Sequence, residues 1–306
     1  MRIKSLEKYH LEKVNFEKNP ENFWEEKAKK FVWYRKWDEV LNWDFKSANV
    51  EWFKGGKLNI TENCLDRHLK NNGDRIAINW IANNPNEKNI ELSYKELHLQ
   101  VCKFSNVLKS KGINKGDRVC LYMPMVPELA IAVLACARIG AIHSVVFAGF
   151  SAKSLSDRIN DATCKALITS DGGFRGDKIT PLKSIADEAL RSTPSIEFCI
   201  VLERTKSTID MKDTRDFWWQ DEMKNVNINC TPEEMNSEDE LFILYTSGST
   251  GKPKGIVHTT AGYMIYTQYS FENVFQYKEN NLYWCTADIG WITGPSYIIY
   301  GPLLAG

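Results

Sequence analysis

The sequence lacks a long apolar run, a leader-like beginning and an excess of positive charge. Its first residues are charged and polar, and its longest apolar run, Leu129 to Ala137, ends at Arg138, well short of a membrane span. Lys plus Arg and Asp plus Glu number 39 each, so no overall positive field draws the chain toward nucleic acid or an anionic membrane. These absences predict a cytoplasmic protein whose partners include neither nucleic acid nor membrane.

Closely paired cysteines are missing as well. The 8 cysteines are scattered, without a C-x-x-C pair or a nearby histidine cluster, which argues against a zinc site. Apolar surroundings such as Val119-Cys120-Leu121 predict buried, reduced thiols that pack as small hydrophobic groups. We therefore expect no metal ion held directly by protein ligands.

The composition that remains suits a globular protein, since 43% hydrophobic residues can bury at least one large core. Residues 1–75 are rich in charge and tryptophan but lack strand–helix alternation. We interpret them as an irregular N-terminal cap whose tryptophans dock onto a larger body. Residues 76–306 are interpreted as the first part of a larger domain.

Strand and helix patterns alternate throughout this second unit. Asp117 to Met123 and Ser144 to Ala148 are strand-like, and a helical stretch lies between them, beginning after Pro127 and ending at Gly140. Such alternation implies right-handed crossovers and a parallel sheet with helices on both faces, so the predicted fold class is α/β. Further predicted elements are a helix capped by Ser151 and running toward Ala162, a strand from Lys165 to Thr169, a helix from Lys183 to Arg191, a strand from Ile196 to Leu202, and a polar surface excursion over residues 203–240.

A loop rich in glycine and hydroxyl groups follows the apolar strand Leu241 to Tyr245. Its glycines let backbone amides converge on an anion, and its hydroxyls and lysines add donors and charge suited to a polyphosphate. It is not a Walker loop, because Thr246 and Pro253 stand where that motif needs Gly and Ser or Thr. A flexible linker is disfavoured, because linkers do not follow buried strands. The predicted phosphate-binding residues are Thr246, Ser247, Gly248, Ser249, Thr250, Gly251, Lys252, Lys254 and Gly255.

The string from Thr246 to Gly255 resembles the signature of the adenylate-forming superfamily, and further strings resemble AMP-forming acetyl- and propionyl-CoA synthetases. One departure is Pro295, where these enzymes usually carry His; proline removes an amide donor and a titratable ring. The resemblance implies the large N-terminal domain of the superfamily, with its C-terminal part missing. The further strings are Trp52 to Asn59, Asn63 to His68, Tyr122 to Glu128, Ile142 to Ser151 and Trp284 to Gly294.

The resemblance also implies a CoA site after the strand that ends at Thr169. Arg175 and Lys178 match the basic pair that meets the 3′-phosphate end of CoA, and Gly176 and Asp177 lie between them. Asp177 stands where a small neutral residue is more usual. Without the resemblance, a solvated surface turn would be the favoured interpretation.

The acyl pocket and the catalytic residues are implied in the same way. Trp291, Ile292 and Thr293 match the segment that lines the acyl pocket, and Thr293 is also matched to the CoA site. Bulky or branched side chains there would fill the space beyond a short acyl group. Thr246 and Lys254 are the expected catalytic residues of the phosphate loop.

The implied reaction uses ATP, Mg²⁺, acetate and CoA, without a prosthetic group. Acetate and ATP would give acetyl-AMP and pyrophosphate, and the CoA thiol would then release AMP and form acetyl-CoA. A propionyl- or 3-hydroxypropionyl-CoA synthetase and a non-catalytic module that binds nucleotide or CoA remain alternatives. Because the resemblance places further catalytic parts beyond Gly306, we expect the chain to be a fragment without activity of its own.

Overall fold

The computed structural model describes residues 3–246, 252–278 and 281–306. Its N-terminal part contains helices α1 (Leu6–Lys18) and α2 (Pro20–Ala28) and an antiparallel hairpin of β1 (Glu39–Asp44) and β2 (Asn49–Lys54). The cap is thus more regular than the sequence predicts. The reason is local, because Ser5 and Asn19 accept hydrogen bonds from backbone N–H groups three residues on and so start the two helices.

Four of the five tryptophans of the cap pack onto the body of the protein, as predicted, whereas Trp43 is 60% exposed. The Trp24 ring meets Tyr269 edge-on at 5.5 Å and Trp52 at 6.5 Å between centroids. Trp33 and Trp37 pack against the same buried cluster. Aromatic burial of this kind lets a short segment be stabilised by a core that it could not form alone.

The remaining elements follow in chain order. They include two π-helical segments, Glu62–Asp66 and Pro295–Tyr300. The other helices and strands are β3 (Lys57–Leu58), α3 (Arg67–Asn72), β4 (Ile76–Trp80), β5 (Ile90–Ser93), α4 (Tyr94–Ser110), β6 (Arg118–Leu121), α5 (Pro127–Arg138), β7 (Ile142–Val145), α6 (Ala152–Ala162), β8 (Ala166–Ser170), β9 (Gly173–Arg175), β10 (Lys178–Thr180), α7 (Leu182–Leu190), β11 (Phe198–Leu202), β12 (Asp216–Trp218), α8 (Trp219–Glu222), β13 (Met235–Asn236), β14 (Glu240–Thr246), β15 (Lys254–Thr259), α9 (Thr260–Val274) and α10 (Gly301–Ala305).

Seven strands form the central sheet in the order β12, β11, β8, β6, β7, β14, β15. Neighbouring strands are parallel except β14 and β15, which are antiparallel. One apolar cluster includes the buried apolar side chains of α4 and α5, and a second includes those of α6 and α7, so buried side chains cover both faces of the sheet. The predicted α/β class is confirmed. Within the described residues, no helix has the length and apolar character needed to cross a membrane.

The prediction of a surface excursion over residues 203–240 is wrong for part of the segment, which contributes β12, α8 and β13 and buries Trp219, Met223 and Met235. Asp216–Trp218 form β12, which pairs in parallel with β11 as the outermost strand of the sheet. The strand begins with Asp216, whose buried carboxylate lies 2.9 Å from Lys183 Nζ and also pairs with Arg215. Because Asp216 is neutralised by the adjacent Arg215 and by Lys183, which is distant in sequence, the local polarity of the sequence hid the strand.

A buried ion network joins the junction after the cap to helices α4 and α5. Arg138, only 2% exposed, donates to both carboxylate oxygens of Asp66 at 2.8 and 2.9 Å. His98 Nε2 lies 3.2 Å from the same carboxylate. Burial alone would raise the pKa of Asp66, but the hydrogen bonds from Arg138 and His98 hold it well below its usual range.

We expect the chain to lose stability at alkaline pH as His98 loses its proton. Its hydrogen bonds to Asp66 and Cys102 raise the pKa of His98 from 6.5 to about 9. The stabilisation is therefore complete below pH 6.5 and is lost as pH rises through about 9. Urea unfolding should show that the unfolding free energy falls by about 1–3 kcal/mol between the two ends of this range. In His98→Gln this fall should be absent. The exposed His10→Gln is the control; an unchanged pH slope in His98→Gln would contradict the prediction.

Candidate functional site

The carboxyl edge of the central sheet gathers the segments that the sequence singles out. β8 ends there in the turn that leads to β9, and β14 ends there in the glycine-rich loop. β6 and β7 lie between them, so three strand spacings, about 14 Å, separate the two exits. Ligands of open α/β sheets bind at this edge.

The glycine-rich loop is framed by β14 and β15. Thr246 pairs with Lys254 across the two strands, and Lys252, Lys254 and Thr246 are all exposed. A Cβ at Gly255 would lie 2.9 Å from Ile243 Cγ2, so a side chain here would require Ile243 to shift. The predicted residues Ser247, Gly248, Ser249, Thr250 and Gly251 lie outside the described residues.

The predicted CoA residues form a short hairpin. Arg175 of β9 pairs with Lys178 of β10, and both side chains are exposed. Gly176 takes a φ of +58° in the turn, with open space where a side chain would begin. Asp177 completes this exposed turn. The hairpin therefore presents two cations to solvent beside one acidic side chain.

Two anchors that sequence reasoning missed hold this hairpin. At its base, the buried Asp171 carboxylate accepts from the backbone N–H groups of Gly172 (2.7 Å), Arg204 (2.8 Å) and Ser207 (3.0 Å). Burial alone would raise the pKa of Asp171, but the N–H donors of Thr205, Arg204 and Ser207 lower it. An acidic residue directly after a buried strand is the sequence signal that could have identified this anchor.

The second anchor holds the tip of the hairpin. The Arg204 guanidinium lies 4.8 Å from the ring centroid of Phe174 and pairs with Glu87 at 2.7 Å. Asn83 Nδ2 donates to the carbonyl oxygen of Gly176 at 2.9 Å. Two-stranded hairpins are marginally stable alone, so these contacts keep Arg175 in place.

Of the three predicted acyl-pocket residues, Ile292 and Thr293 lie at one cavity and Trp291 does not. Ile292 and Thr293 line a cavity of about 630 Å³. Trp291 is 51% exposed and is therefore not a core residue. Its ring faces Phe147 and Phe150, at 6.4 Å between centroids in each case.

The cavity beside Ile292 is shared between the cap and the sheet. Its walls include Trp24 and Trp52 from the cap, and His258 and Tyr263 from β15 and α9. The His258 ring stacks on Phe242 at 4.4 Å, and burial lowers the pKa of His258. These contacts agree with the prediction of a structural histidine.

His143 lies inside the sheet. Its Nε2 is 2.8 Å from the hydroxyl of Tyr300, and burial, with a small contribution from His258, lowers the pKa of His143 to about 3. A histidine that stays neutral at physiological pH and is sealed from solvent is suited to packing. This location agrees with the prediction that His143 is not a catalytic base.

Pro295, the departure from the family pattern, is accommodated without disruption. It is buried and is the first residue of the π-helical segment Pro295–Tyr300, a position where proline's missing N–H costs little. The preceding Gly294 is tightly packed, because a Cβ there would lie 2.2 Å from Ile289 Cα. The substitution therefore leaves a regular turn after Thr293.

Family models match the whole chain from residue 14 onward. Residues 65–306 match the model described as AMP-binding enzyme, and residues 14–64 match the one described as acetyl-coenzyme A synthetase N-terminus. The two models meet at residues 64 and 65, and the predicted division at residues 75 and 76 stays a prediction.

Curated relatives are similar over nearly the whole chain. An acetyl-coenzyme A synthetase of Bdellovibrio bacteriovorus is 54% identical over 287 residues, which are 94% of this chain and 44% of the relative. One from Rubrobacter xylanophilus is 56% identical over 287 residues, with the same coverage of 94% and 44%. The chain therefore spans about half the length of the curated relatives it matches.

Among solved structures, acetoacetyl-CoA synthetase from Streptomyces lividans has the same fold. Its TM-score is 0.86 at 23% identity, over 94% of this chain and 44% of that structure. Within the described residues there is no group of three or more His, Cys, Asp or Glu side chains arranged to hold a metal ion.

We expect Asp171→Asn to loosen the hairpin that carries Arg175. In asparagine, one carboxylate oxygen of Asp171 is replaced by an NH₂ group, a donor that would face the backbone N–H donors. The unfolding free energy should therefore fall by about 2–3 kcal/mol. Hydrogen exchange of residues 172–180 and 204–207 should quicken, as followed by mass spectrometry. The exposed Asp177→Asn serves as the control, and equal exchange in both variants would refute the anchoring role.

Proposed function

The chain belongs to the AMP-binding enzyme family, and from that membership we propose that it serves the ligation of acetate to CoA with ATP. The observation that carries the proposal is the shared position of the glycine-rich loop and the basic hairpin at one edge of the sheet. The match of residues 14–64 to the acetyl-coenzyme A synthetase N-terminus favours this substrate over other carboxylates. We propose a cytoplasmic location, with acetate, ATP and CoA as the partners.

The first step would join acetate to AMP. A carboxylate oxygen of acetate attacks the α-phosphorus of ATP, the bond between the α- and β-phosphates breaks, and pyrophosphate leaves. Acetate is already a nucleophile, so the step needs no protein base. Lys252 and Lys254 would offset the negative charge of the polyphosphate, with Thr246 as a hydroxyl donor, because all three are exposed at the loop. Mg²⁺, when bound, would supply further charge compensation, mostly through phosphate oxygens and water.

The second step would transfer the acetyl group to CoA. The thiolate sulfur attacks the carbonyl carbon of acetyl-AMP, the bond to the phosphate oxygen breaks, AMP leaves, and the thiol proton passes to solvent. Arg175 and Lys178 would hold the 3′-phosphate of CoA. The strand ends that lead into the hairpin and the loop are about 14 Å apart, which suits an extended molecule that reaches from one to the other.

The acyl group would lie against Ile292 and Thr293. Both residues line the cavity of about 630 Å³, and Ile292 offers a branched wall beyond a short acyl chain. A propionyl- or 3-hydroxypropionyl-CoA synthetase is the second candidate, because the same cavity leaves room for one more carbon. Competition between acids separates the two candidates.

These proposals are testable in a hybrid enzyme, in which this chain is joined to the part of the Bdellovibrio bacteriovorus relative that follows the matched stretch. In the hybrid, Lys254→Ala should slow acetate-dependent exchange of pyrophosphate into ATP on the order of 100-fold, because a charge facing the polyphosphate is lost. The KM for CoA should stay unchanged. The exposed Lys224→Ala is the control, and exchange at the normal rate in Lys254→Ala would defeat the assignment. A hybrid that binds ATP and CoA without turnover would favour a non-catalytic binding module.

Arg175→Ala should weaken the use of CoA but not of dephospho-CoA. A charge-assisted contact contributes about 1.5–3 kcal/mol, so the KM for CoA should rise roughly 10- to 100-fold. Only CoA carries the 3′-phosphate, so the KM for dephospho-CoA should hardly move. Steady-state thioester formation with both thiols measures the difference, and equal losses would indicate a structural arginine.

Ile292→Ala should shift the acid preference toward longer chains. The wild-type hybrid should prefer acetate over propionate by about 1–3 kcal/mol, the usual discrimination for one methylene group. Removing the branched wall should bring propionate or butyrate level with acetate in kcat/KM. A wild-type preference for propionate or 3-hydroxypropionate would refute acetate as the substrate and leave the adenylation chemistry intact.

A further inference from the structure

Arg158, on helix α6, is a buried cation without a carboxylate partner among the described residues. It is 7% exposed. Its Nη1 donates to the carbonyl oxygen and the hydroxyl of Ser154, at 2.7 and 2.5 Å, and both are neutral acceptors. Buried charges are normally paired, so a buried guanidinium with no carboxylate at ion-pair distance among the described residues is unusual.

The two other fully buried cations of the described chain give the contrast. Arg138 pairs with Asp66 at 2.8 Å. Lys183 pairs with Asp187 at 2.7 Å and with Asp216 at 2.9 Å. Burial lowers the pKa of Arg158, whereas for Arg138 the ion pair with Asp66 outweighs burial and raises it. Arg158 thus differs from both in having no carboxylate at ion-pair distance within the part of the chain that the structure describes.

Acidic side chains near Arg158 are engaged elsewhere. Asp157 pairs with Lys153, and Asp161 accepts a hydrogen bond from the hydroxyl of Tyr245 at 2.7 Å. Residues 247–251, which follow β14 in the sequence, include no acidic side chain. An anion that compensates Arg158 would therefore have to come from outside these segments.

The guanidinium lies close to the carboxyl end of β14. Its Cζ is 4.6 Å from the Phe150 ring centroid and 5.6 Å from that of Tyr245, the residue directly before Thr246. Its bonds to Ser154 place it at the first turn of α6, which begins after the carboxyl end of β7. The partial positive charge of a helix N-terminus adds to the arginine and favours a negative ligand.

We propose that Arg158 is a phosphate-binding residue, which neutralises its charge on a phosphate group of ATP or on the diphosphate of CoA. This inference rests on the proposed function, since it assumes that a phosphorylated substrate occupies the carboxyl edge. Phe150 lies between Arg158 and the segment that contains Ile292. Its ring contacts the Arg158 guanidinium and also faces the Trp291 ring at 6.4 Å between centroids.

The test compares Arg158→Gln and Arg158→Lys with the wild-type hybrid enzyme. Pyrophosphate exchange at varied ATP and thioester formation at varied CoA give the two KM values separately. Arg158→Gln should raise one of them roughly 10- to 100-fold, the loss expected for a charge-assisted contact, and Arg158→Lys should recover part of it. The exposed Arg191→Gln is the matched control and should leave both values unchanged.

Thermal unfolding of the 306-residue chain supplies a second measurement. Removing a buried charge that has no carboxylate partner among the described residues should leave Tm unchanged or raise it in Arg158→Gln. A rise in the KM for ATP identifies the polyphosphate as the ligand, and a rise in the KM for CoA identifies the diphosphate. Two unchanged KM values with a lowered Tm would show a purely structural arginine and overturn the inference.

Failure of the inference can be told apart from failure of the proposed function. If Lys254→Ala and Arg175→Ala behave as predicted while Arg158→Gln changes neither KM, only the role of Arg158 falls. If those two variants have no effect either, the proposed function falls together with the inference. Should Arg158→Gln fail to fold, Arg158→Lys keeps the charge but not the planar fork, and an unchanged KM for both substrates in that variant decides against the role.

Discussion

The parallel pairing of β8, β6, β7 and β14 is the constraint on which the candidate site depends. Parallel strands point their carboxyl ends to one edge, so segments far apart in sequence leave the sheet side by side. Each strand is short and largely buried, and its position is fixed by helices on both faces rather than by its own length. The glycine-rich loop and the Arg175 hairpin share an edge for this reason alone.

Much of this arrangement could be predicted because it is encoded locally. A few adjacent residues specify each of these elements: the start of α6 at Ser151, the apolar helix after Pro127, and the buried strands on either side of that helix. β12 could not be predicted, because Asp216 is tolerated at a buried position only through Lys183 and Arg215. The contacts of the Asp171 anchor could not be predicted either, because its partners Arg204 and Ser207 lie more than thirty residues away in the sequence.

Charge is the second organising feature of the interior. Asp66, Arg138 and His98 join the junction after the cap to α4 and α5, and Lys183 with Asp216 fixes the outer strand. Such pairs are costly to bury and costlier to break, so they specify which elements meet more than they add stability. Against this background of matched pairs, Arg158 stands apart among the described residues, because it is buried and its hydrogen bonds go to the neutral acceptors of Ser154.

The cap also shapes the cavity that Ile292 and Thr293 line. The sequence predicts only a packing role for Trp24 and Trp52. In the structure both also form walls of the cavity that Ile292 and Thr293 line. The tryptophans are held there by aromatic contacts with α9 and with each other, so their position is set by the core of the larger domain. A segment that stabilises the fold by burying aromatic rings thereby also shapes the space next to Ile292, because one set of contacts serves both purposes.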